Sequence, residues 1–394
     1  MEPQLLPACE KTQLRLGFLR LTDSAPVIMA QQLGLYDKYG LEVLLEREVS
    51  WANLRDRLST GDLDAAQILA PLPLATALGA GGIRADVITG LALSLNGNAI
   101  TVNPSLAASI AEQGGVPSES AQSSALALGK VLAERDTGGQ LTFASAHSFS
   151  CHTILLRIWL QAGGINPDRD VRIIVLPPEQ MVDSLARGVI DGYCVGEPWN
   201  SMAVQYGVGA VQATGYHIWN NGIEKVLGVL KRWHQNYPAT HLRLRLALME
   251  SCKWLADPMN RVKAAEVLSR PAYLDSPADY LLPSLTGQFV FARGQAPVSM
   301  PDFHVFGRFQ SGFPWRSDGE WLMQQTGAIL GRTLEAETVK ALVQQTYRTD
   351  LYRDAARHLE MVSPNRDYKP INQHAKPWEL EEGISLGPDL ILGQ

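Results

Sequence analysis

A chain of 394 residues, 46% hydrophobic and 19% charged, carries enough apolar material for a large core, and its length predicts two domains. A net charge of −6 excludes the basic face that holds nucleic-acid phosphates, and no apolar run approaches the roughly 20 residues that span a bilayer. The four cysteines, Cys9, Cys151, Cys194 and Cys252, are scattered and form no C-x-x-C pair, so they read as reduced thiols and not as a disulfide framework or zinc site.

The first residues, M-E-P-Q-L-L-P-A-C-E-K-T-Q, place Glu2 and Pro3 where an export signal carries Lys or Arg, and they contain no apolar h-region. A cytoplasmic location is expected. From Leu14 to Leu93 the predicted elements are a strand L-R-L-G-F-L-R-L, a helix from Ala25 to Leu35, a strand L-E-V-L-L-E, a helix from Trp51 to Thr60, and strands A-A-Q-I-L-A and A-D-V-I-T-G-L-A-L. Such alternation predicts an α/β protein with a mostly parallel sheet covered on both faces, its ligands lying beyond the carboxyl ends of the strands.

A second run starts at Ala99 to Val102. Pro104 to Ser124, rich in Ala, Ser, Gly and Gln, reads as a helix and loop. L-T-F-A-S, a helix from Thr153 to Gly163, V-R-I-I-V-L-P, a helix from Gln180 to Gly188, and D-G-Y-C-V follow. Val226 to Leu230 reads as a return strand, and beyond it His241 to Leu255 is the longest amphipathic candidate. The expected architecture is two hinged α/β lobes enclosing a cleft: residues 1–98 plus 230–394 as a discontinuous lobe I with extra C-terminal helices, and residues 99–229 as lobe II. Crossings are expected near Asn98 and Lys225, and an irregular, Pro-rich tail after Pro364.

Several positions could carry chemistry. Thr22 to Pro26 follow the first strand, where Thr22 or Ser24 can cap a helix and leave other amides free. Trp51 opens a helix, where it either meets a ligand or covers the core. Asn96-Gly97-Asn98 reads as a turn, with Asn98 placed to donate into the cleft. Cys151 beside His152 suggests an activated thiol, but sequence neighbours on a helix point about 100° apart, so no catalytic residue is expected. His152 then serves as a donor to an anion at a helix start, with His147 as the alternative. D-G-Y-C-V-G-E-P-W, Asp191 to Trp199, is a strand-to-helix corner, with Gly196 for close backbone approach and Pro198 in the first helical turn. It either offers amides to an anion or is an ordinary βα turn. Lys225, at the hinge, is either a surface residue or an ammonium over the cleft. No H-E-x-x-H, EF-hand or Walker sequence occurs, so no metal or cofactor is expected.

T-D-S-A-P at Thr22, G-L-Y-D-K-Y-G-L-E-V from Gly34, S-W at Ser50, A-A-Q-I-L-A-P-L-P, L-N-G-N, R-I-W-L-Q-A-G-G, P-P-E-Q-M from Pro177, V-G-E-P-W and E-K-V-L-G occur in this order. Over most of its length the chain resembles the nitrate- and bicarbonate-binding proteins of ABC importers, exemplified by NrtA and CmpA. The resemblance implies a periplasmic-binding-protein-like (type II) fold, with a nitrate pocket formed by Trp51, Asn98, His152, Pro178, Val195, Gly196 and Lys225. Asn98 stands where the family has a glutamine and is shorter by one C–C bond, so a water would bridge it. Phe149-Ser150-Cys151 replaces the family's Gly-Gly-Thr before His152.

A chain of this kind without an export signal is similar to the NasS-type cytoplasmic nitrate/nitrite sensors. That similarity implies nitrate or nitrite as ligand and, as partner, a NasT-type ANTAR-domain antiterminator released when the anion binds, with no direct contact to nucleic acid or membrane. The alternatives on the same scaffold are an importer's binding protein for nitrate or bicarbonate and a thiamine-pyrimidine-type enzyme. Nitrate needs a cation, several donors and an apolar face, here Lys225, His152 with backbone amides, and Trp51. Bicarbonate also needs an acceptor for its hydroxyl, which Glu197 provides only if it turns inward.

Overall fold

The computed structural model describes residues 6–134 and 139–394. Glu2 and Pro3, on which the export expectation rests, lie outside them. In chain order the strands are β1 (Gln13–Leu19), β2 (Glu42–Glu48), β3 (Ala65–Leu69), β4 (Val87–Ile88), β5 (Ala92–Asn96), β6 (Asn98–Val102), β7 (Leu141–Ser145), β8 (Val171–Val175), β9 (Gly192–Gly196), β10 (Ala210–Thr214) and β11 (Ile223–Leu230). A ribbon of β12 (Gln288–Phe289) and β13 (Val298–Ser299) follows, then β14 (His304–Val305).

Two sheets make two lobes. The first has the order β14-β5-β11-β3-β1-β2, with β4 on β11, and the second the order β10-β6-β9-β7-β8. The sheets are mixed, not mostly parallel: only β3-β1-β2 and β9-β7-β8 run parallel. The reason lies in the exchange of chain between the lobes. β6 enters the second sheet antiparallel to β9, and β11 returns to the first sheet antiparallel to β3 and β5. Because β11 starts at Ile223, residues 223–229 sit with lobe I and not with lobe II as the sequence suggested. A-D-V-I-T-G-L-A-L is two strands, broken at Gly90, where a side chain would meet Leu351 at 2.7 Å.

The crossings lie side by side, since Asn96 donates its N–H to the Gly222 carbonyl (2.9 Å). Gly97 makes the reversal between β5 and β6 at φ 90°. A Cβ there would stand 2.2 Å from the buried His304 ring, so only glycine fits.

The helix Pro238–Ala256, extended at its start beyond His241, packs against the helices Ala25–Gln32, Leu35–Lys38, Pro258–Leu268 and Thr349–His358. The tail is more ordered than its composition suggested. Trp378–Glu381 and Ile384–Leu386 form a hairpin, and Leu386 and Ile391 are buried. The segment beyond it is tied to the second crossing: Asn220 donates its N–H to the Leu390 carbonyl (3.0 Å), Leu392 its N–H to the Ile218 carbonyl (2.8 Å), and Asn221 Nδ2 to the Pro388 carbonyl (2.8 Å). Among the described residues no helix is long and apolar enough to cross a membrane.

Candidate functional site

The two sheets direct one set of polar side chains to the seam between the lobes. Thr22, Asp23 and Ser24 follow β1 as a single 3-10 turn that leads into the helix Ala25–Gln32. Ser50 caps the helix Trp51–Thr60 by accepting the Asn53 N–H (3.1 Å), which fixes Trp51 as its first residue. Ser150 caps the helix Cys151–Ala162 in the same way, accepting from Thr153 (3.1 Å), and sets His152 in the first turn. β11 supplies Glu224 and Lys225. In a regular strand, neighbours point to opposite faces. Here the register shifts on both sides of Lys225, and such an irregularity re-aims side chains, so consecutive residues join one cluster.

Lys225 is the centre. Its Nζ lies 2.8 Å from Asp23 Oδ2 and 2.7 Å from Glu224 Oε1, and 5.3 Å from the centre of the Trp51 ring. Gln67 Nε2 donates to Asp23 Oδ1 (2.8 Å), and Ser24 Oγ donates to Gln67 Oε1 (2.9 Å). Asn98 Nδ2 donates to Glu224 Oε2 (2.6 Å), and His152 Nε2 stands 3.2 Å from Glu224 Oε1. Lys225, Trp51, His152, Asn98 and Gln67 are each 0% exposed. Around them Thr22 Oγ1, Trp51 Nε1, Ser94 Oγ, Asn98 Oδ1, His152 Nδ1 and Glu197 Oε1 are buried with no hydrogen-bond partner. A folded interior tolerates few such atoms, and their concentration around one ammonium marks a place built for a small polar guest.

Contacts across the seam close it. Thr22 donates its N–H to the Glu197 carbonyl (2.7 Å), Cys151 Sγ reaches the Ile223 carbonyl (3.2 Å), and Arg20 pairs with Glu179 (3.5 Å) at a more exposed edge. Asn98 and His152 bridge in the same sense, from lobe II to Glu224.

Burial and charge set the protonation states. Burial works against the Lys225 charge, but the adjacent Asp23 and Glu224 carboxylates outweigh it and raise its pKa, so it stays an ammonium. Burial raises Glu224 against the pull of Lys225 and raises Glu197 to about 7. His152 is pushed well down by burial and by Lys225, and is neutral. The Cys151 thiol is pushed well up by burial and by Glu224, the opposite of what an activated nucleophile needs.

The structure brings Trp51, Asn98, His152 and Lys225 together. Gly196 borders them, for a Cβ there would lie 3.5 Å from Asp23 Oδ2. Val195 is buried in β9 opposite Ala99, and Pro178 is buried at the start of a short 3-10 turn. Neither makes a polar contact to the cluster. The Glu197 corner does not hold its amide out for an anion: the Glu197 N–H goes to the Gly97 carbonyl (3.1 Å). Asn98 spends its donor on Glu224 Oε2. Asp23 and Glu224 place further acceptors beside the ammonium, besides Glu197. Sequence reasoning missed Asp23, Glu224 and Gln67 as members of the site. It also missed His304, whose ring lies at the Gly97 crossing and which the Lys225 charge, after burial and Arg261, helps keep neutral.

His147 is not in the cluster. Its Nδ1 accepts the Phe149 N–H (3.0 Å), and burial with Arg55 lowers its pKa to about 4. A histidine held neutral in the folded state but titrating near 6.5 when unfolded contributes stability that is complete above pH 6.5 and is lost as pH falls toward 4. Acid should therefore destabilise the protein through this residue by about 1.4 kcal/mol per pH unit in that window. His147→Asn should flatten the fall of the urea midpoint between pH 6.5 and 4, whereas parallel curves for the two proteins would exclude this role.

Residues 7–269 match the NMT1-like family. The nitrate import ATP-binding protein NrtC of Synechocystis is 38% identical over 387 residues, covering 98% of this chain and 55% of that protein. The bicarbonate transport ATP-binding protein CmpC of Synechocystis is 38% identical over 385 residues, 96% of this chain and 54% of that protein. The chain thus spans about half the length of these relatives. The nitrate/nitrite binding protein NrtA of Synechocystis is 30% identical over 393 residues, 97% of this chain and 84% of that protein. The crystal structure of the periplasmic nitrate-binding protein NrtA from Synechocystis PCC 6803 superposes with a TM-score of 0.84 at 27% identity, over 97% of both chains. The two-lobed, periplasmic-binding-protein-like α/β fold with a seam at the crossings, and the match over nearly the whole chain, lead to one conclusion: the chain belongs to the NMT1-like family, among the NrtA-like substrate-binding proteins.

Proposed function

We propose that this protein is an intracellular sensor of nitrate and nitrite, which holds an antiterminator of the NasT type while empty and releases it when the anion closes the two lobes. The observation that carries the reading is the fully buried ammonium of Lys225, surrounded by unpartnered donors at the seam between lobes. A small flat oxyanion fits such a site, because it only accepts hydrogen bonds and is too small to hold the lobes apart. NrtA, named for nitrate and nitrite, supports this choice of ligand. For the intracellular setting, support comes from the relatives of higher identity: they are ATP-binding proteins, and ATP is a cytosolic molecule. The chemistry is recognition and not catalysis, since the one thiol beside a histidine is held protonated.

Signalling requires the anion to prefer the closed arrangement and the partner the open one, because equal affinity shifts nothing. A thermal-shift comparison of nitrate, nitrite, bicarbonate and sulfate tests the ligand. At 100 times its Kd a ligand specific for the folded state adds about 2.7 kcal/mol, so nitrate and nitrite should raise the melting point while sulfate leaves it unchanged. Size-exclusion of the protein with a NasT-type partner, with and without nitrate, tests release; a complex indifferent to nitrate defeats the model. A second reading, as the binding component of a nitrate or bicarbonate importer, is favoured by the superposition on NrtA, and an exported mature form would decide for it.

A further inference from the structure

We infer that the protein takes up one proton, at Glu224, each time it closes over a monoanion. The inference rests on the anion-binding reading and adds to it a chemical condition on closure. The charges at the seam do not balance for a guest of negative sign. Lys225 is a single ammonium, and it already meets two carboxylates, Asp23 at 2.8 Å and Glu224 at 2.7 Å. Among the described residues no arginine or second lysine pairs with either of them. An anion entering here would be a third negative group against one positive group, in a site with no solvent exposure to screen it. Either the anion is excluded or one carboxylate becomes neutral.

Geometry selects which. Asp23 has both oxygens engaged by donors, Oδ1 accepting from Gln67 Nε2 (2.8 Å) and Oδ2 facing the ammonium. Glu224 is differently placed. Its Oε2 accepts from Asn98 Nδ2 at 2.6 Å, while Asn98 Oδ1 has no partner. Rotation of that amide presents an acceptor in place of a donor, which is what a protonated carboxyl requires. The other oxygen, Oε1, lies 3.2 Å from His152 Nε2. A neutral Glu224 also frees the Lys225 charge for the guest.

The titratable groups that face Glu224 come from every element packed on it: Lys225 beside it, Asp23 after β1, Cys151 and His152 on the helix Cys151–Ala162, and Cys194 on β9. Lys225 stays charged and both thiols stay protonated, because their pKa values are raised. His152 is held neutral by burial and Lys225. Glu224 is left as the group whose charge can change when the guest arrives.

Nitrate itself does not titrate above pH 5, so its affinity reports the protein alone. Calorimetry with potassium nitrate from pH 5 to 9 should show the affinity falling tenfold per pH unit wherever the empty protein has Glu224 ionised, and Glu224→Gln should remove that slope. Binding heats in buffers of different ionisation enthalpy, measured on the unaltered protein at pH 8, should report one proton absorbed per nitrate, and they serve even if the variant does not fold. A pH-independent affinity, buffer-independent heats, or a slope that persists in Glu224→Gln would overturn the inference, the last by placing the proton on His152 or Glu197. No nitrate heat at any pH would instead overturn the anion reading beneath it.

Discussion

Lys225→Met should lower the stability of the folded protein by about 3–5 kcal/mol and abolish its response to nitrate. Methionine replaces the length of the side chain but not its charge, so the loss is electrostatic. Two carboxylates that now meet an ammonium at 2.8 and 2.7 Å would face each other, buried, with no cation. Removing one member of a buried ion cluster costs more than the cluster itself contributes, because the remaining charges stay desolvated. A compensating variant separates stability from binding. Adding Asp23→Asn and Glu224→Gln to Lys225→Met removes the uncompensated charge and should recover much of the stability, while nitrate binding stays lost. Urea denaturation gives the first quantity and calorimetry the second. A Lys225→Met protein as stable as the original would mean that the cluster is neutral without the lysine, and a normal nitrate response would remove Lys225 from the site.

Trp51→Ala should cost about 3–5 kcal/mol of stability. Trp51 is 0% exposed, so truncation opens a cavity beside the polar cluster. The ring also lies 5.3 Å from the Lys225 ammonium, an arrangement worth about 2 kcal/mol where both groups are desolvated. Trp51→Phe keeps most of the volume and a weaker ring, but removes the indole N–H, which has no partner in the structure. It should therefore retain most of the stability while weakening nitrate binding if that N–H donates to the anion. Equal affinity in Trp51→Phe and the parent would restrict Trp51 to supporting the lysine.

The helix Trp51–Thr60 illustrates what local sequence specifies well. Ser50 is a strong cap, Gly61 takes the left-handed C-terminal position, and the apolar residues between recur at helical spacing, so both ends are written in the chain. The parallel strands β1 to β3 were equally legible, as short apolar runs. β10 and β14 were not. A-V-Q-A-T shows little apolar contrast, and a strand of two residues carries no periodicity. The antiparallel course of β11 was also hidden, because direction within a sheet depends on the path of the returning chain and leaves no mark on V-L-G-V-L.

The same division runs through the site. Trp51, Asn98, His152 and Lys225 were picked out because each stands at the end of a strand or the start of a helix, or beside a crossing, and because their order resembles that of a known family. Asp23 and Glu224 stand in the chain within T-D-S and E-K, but nothing in either stretch says that they meet. The sequence by itself determined the two-lobed class, the Ser50 cap of the helix Trp51–Thr60 and the turn at Asn96-Gly97-Asn98, since these depend on spacing and on local residue chemistry, whereas Ser24 makes no side-chain cap and the demand for glycine at position 97 comes from the distant His304. Only the tertiary structure decided that the ammonium is already paired, because the meeting of Asp23 with Lys225 depends on β1 and β11 flanking β3, and that of Glu224 with Lys225 on a register shift within β11. Both are long-range consequences of burying the first sheet, and they turn a simple cationic pocket into one whose charge must be balanced.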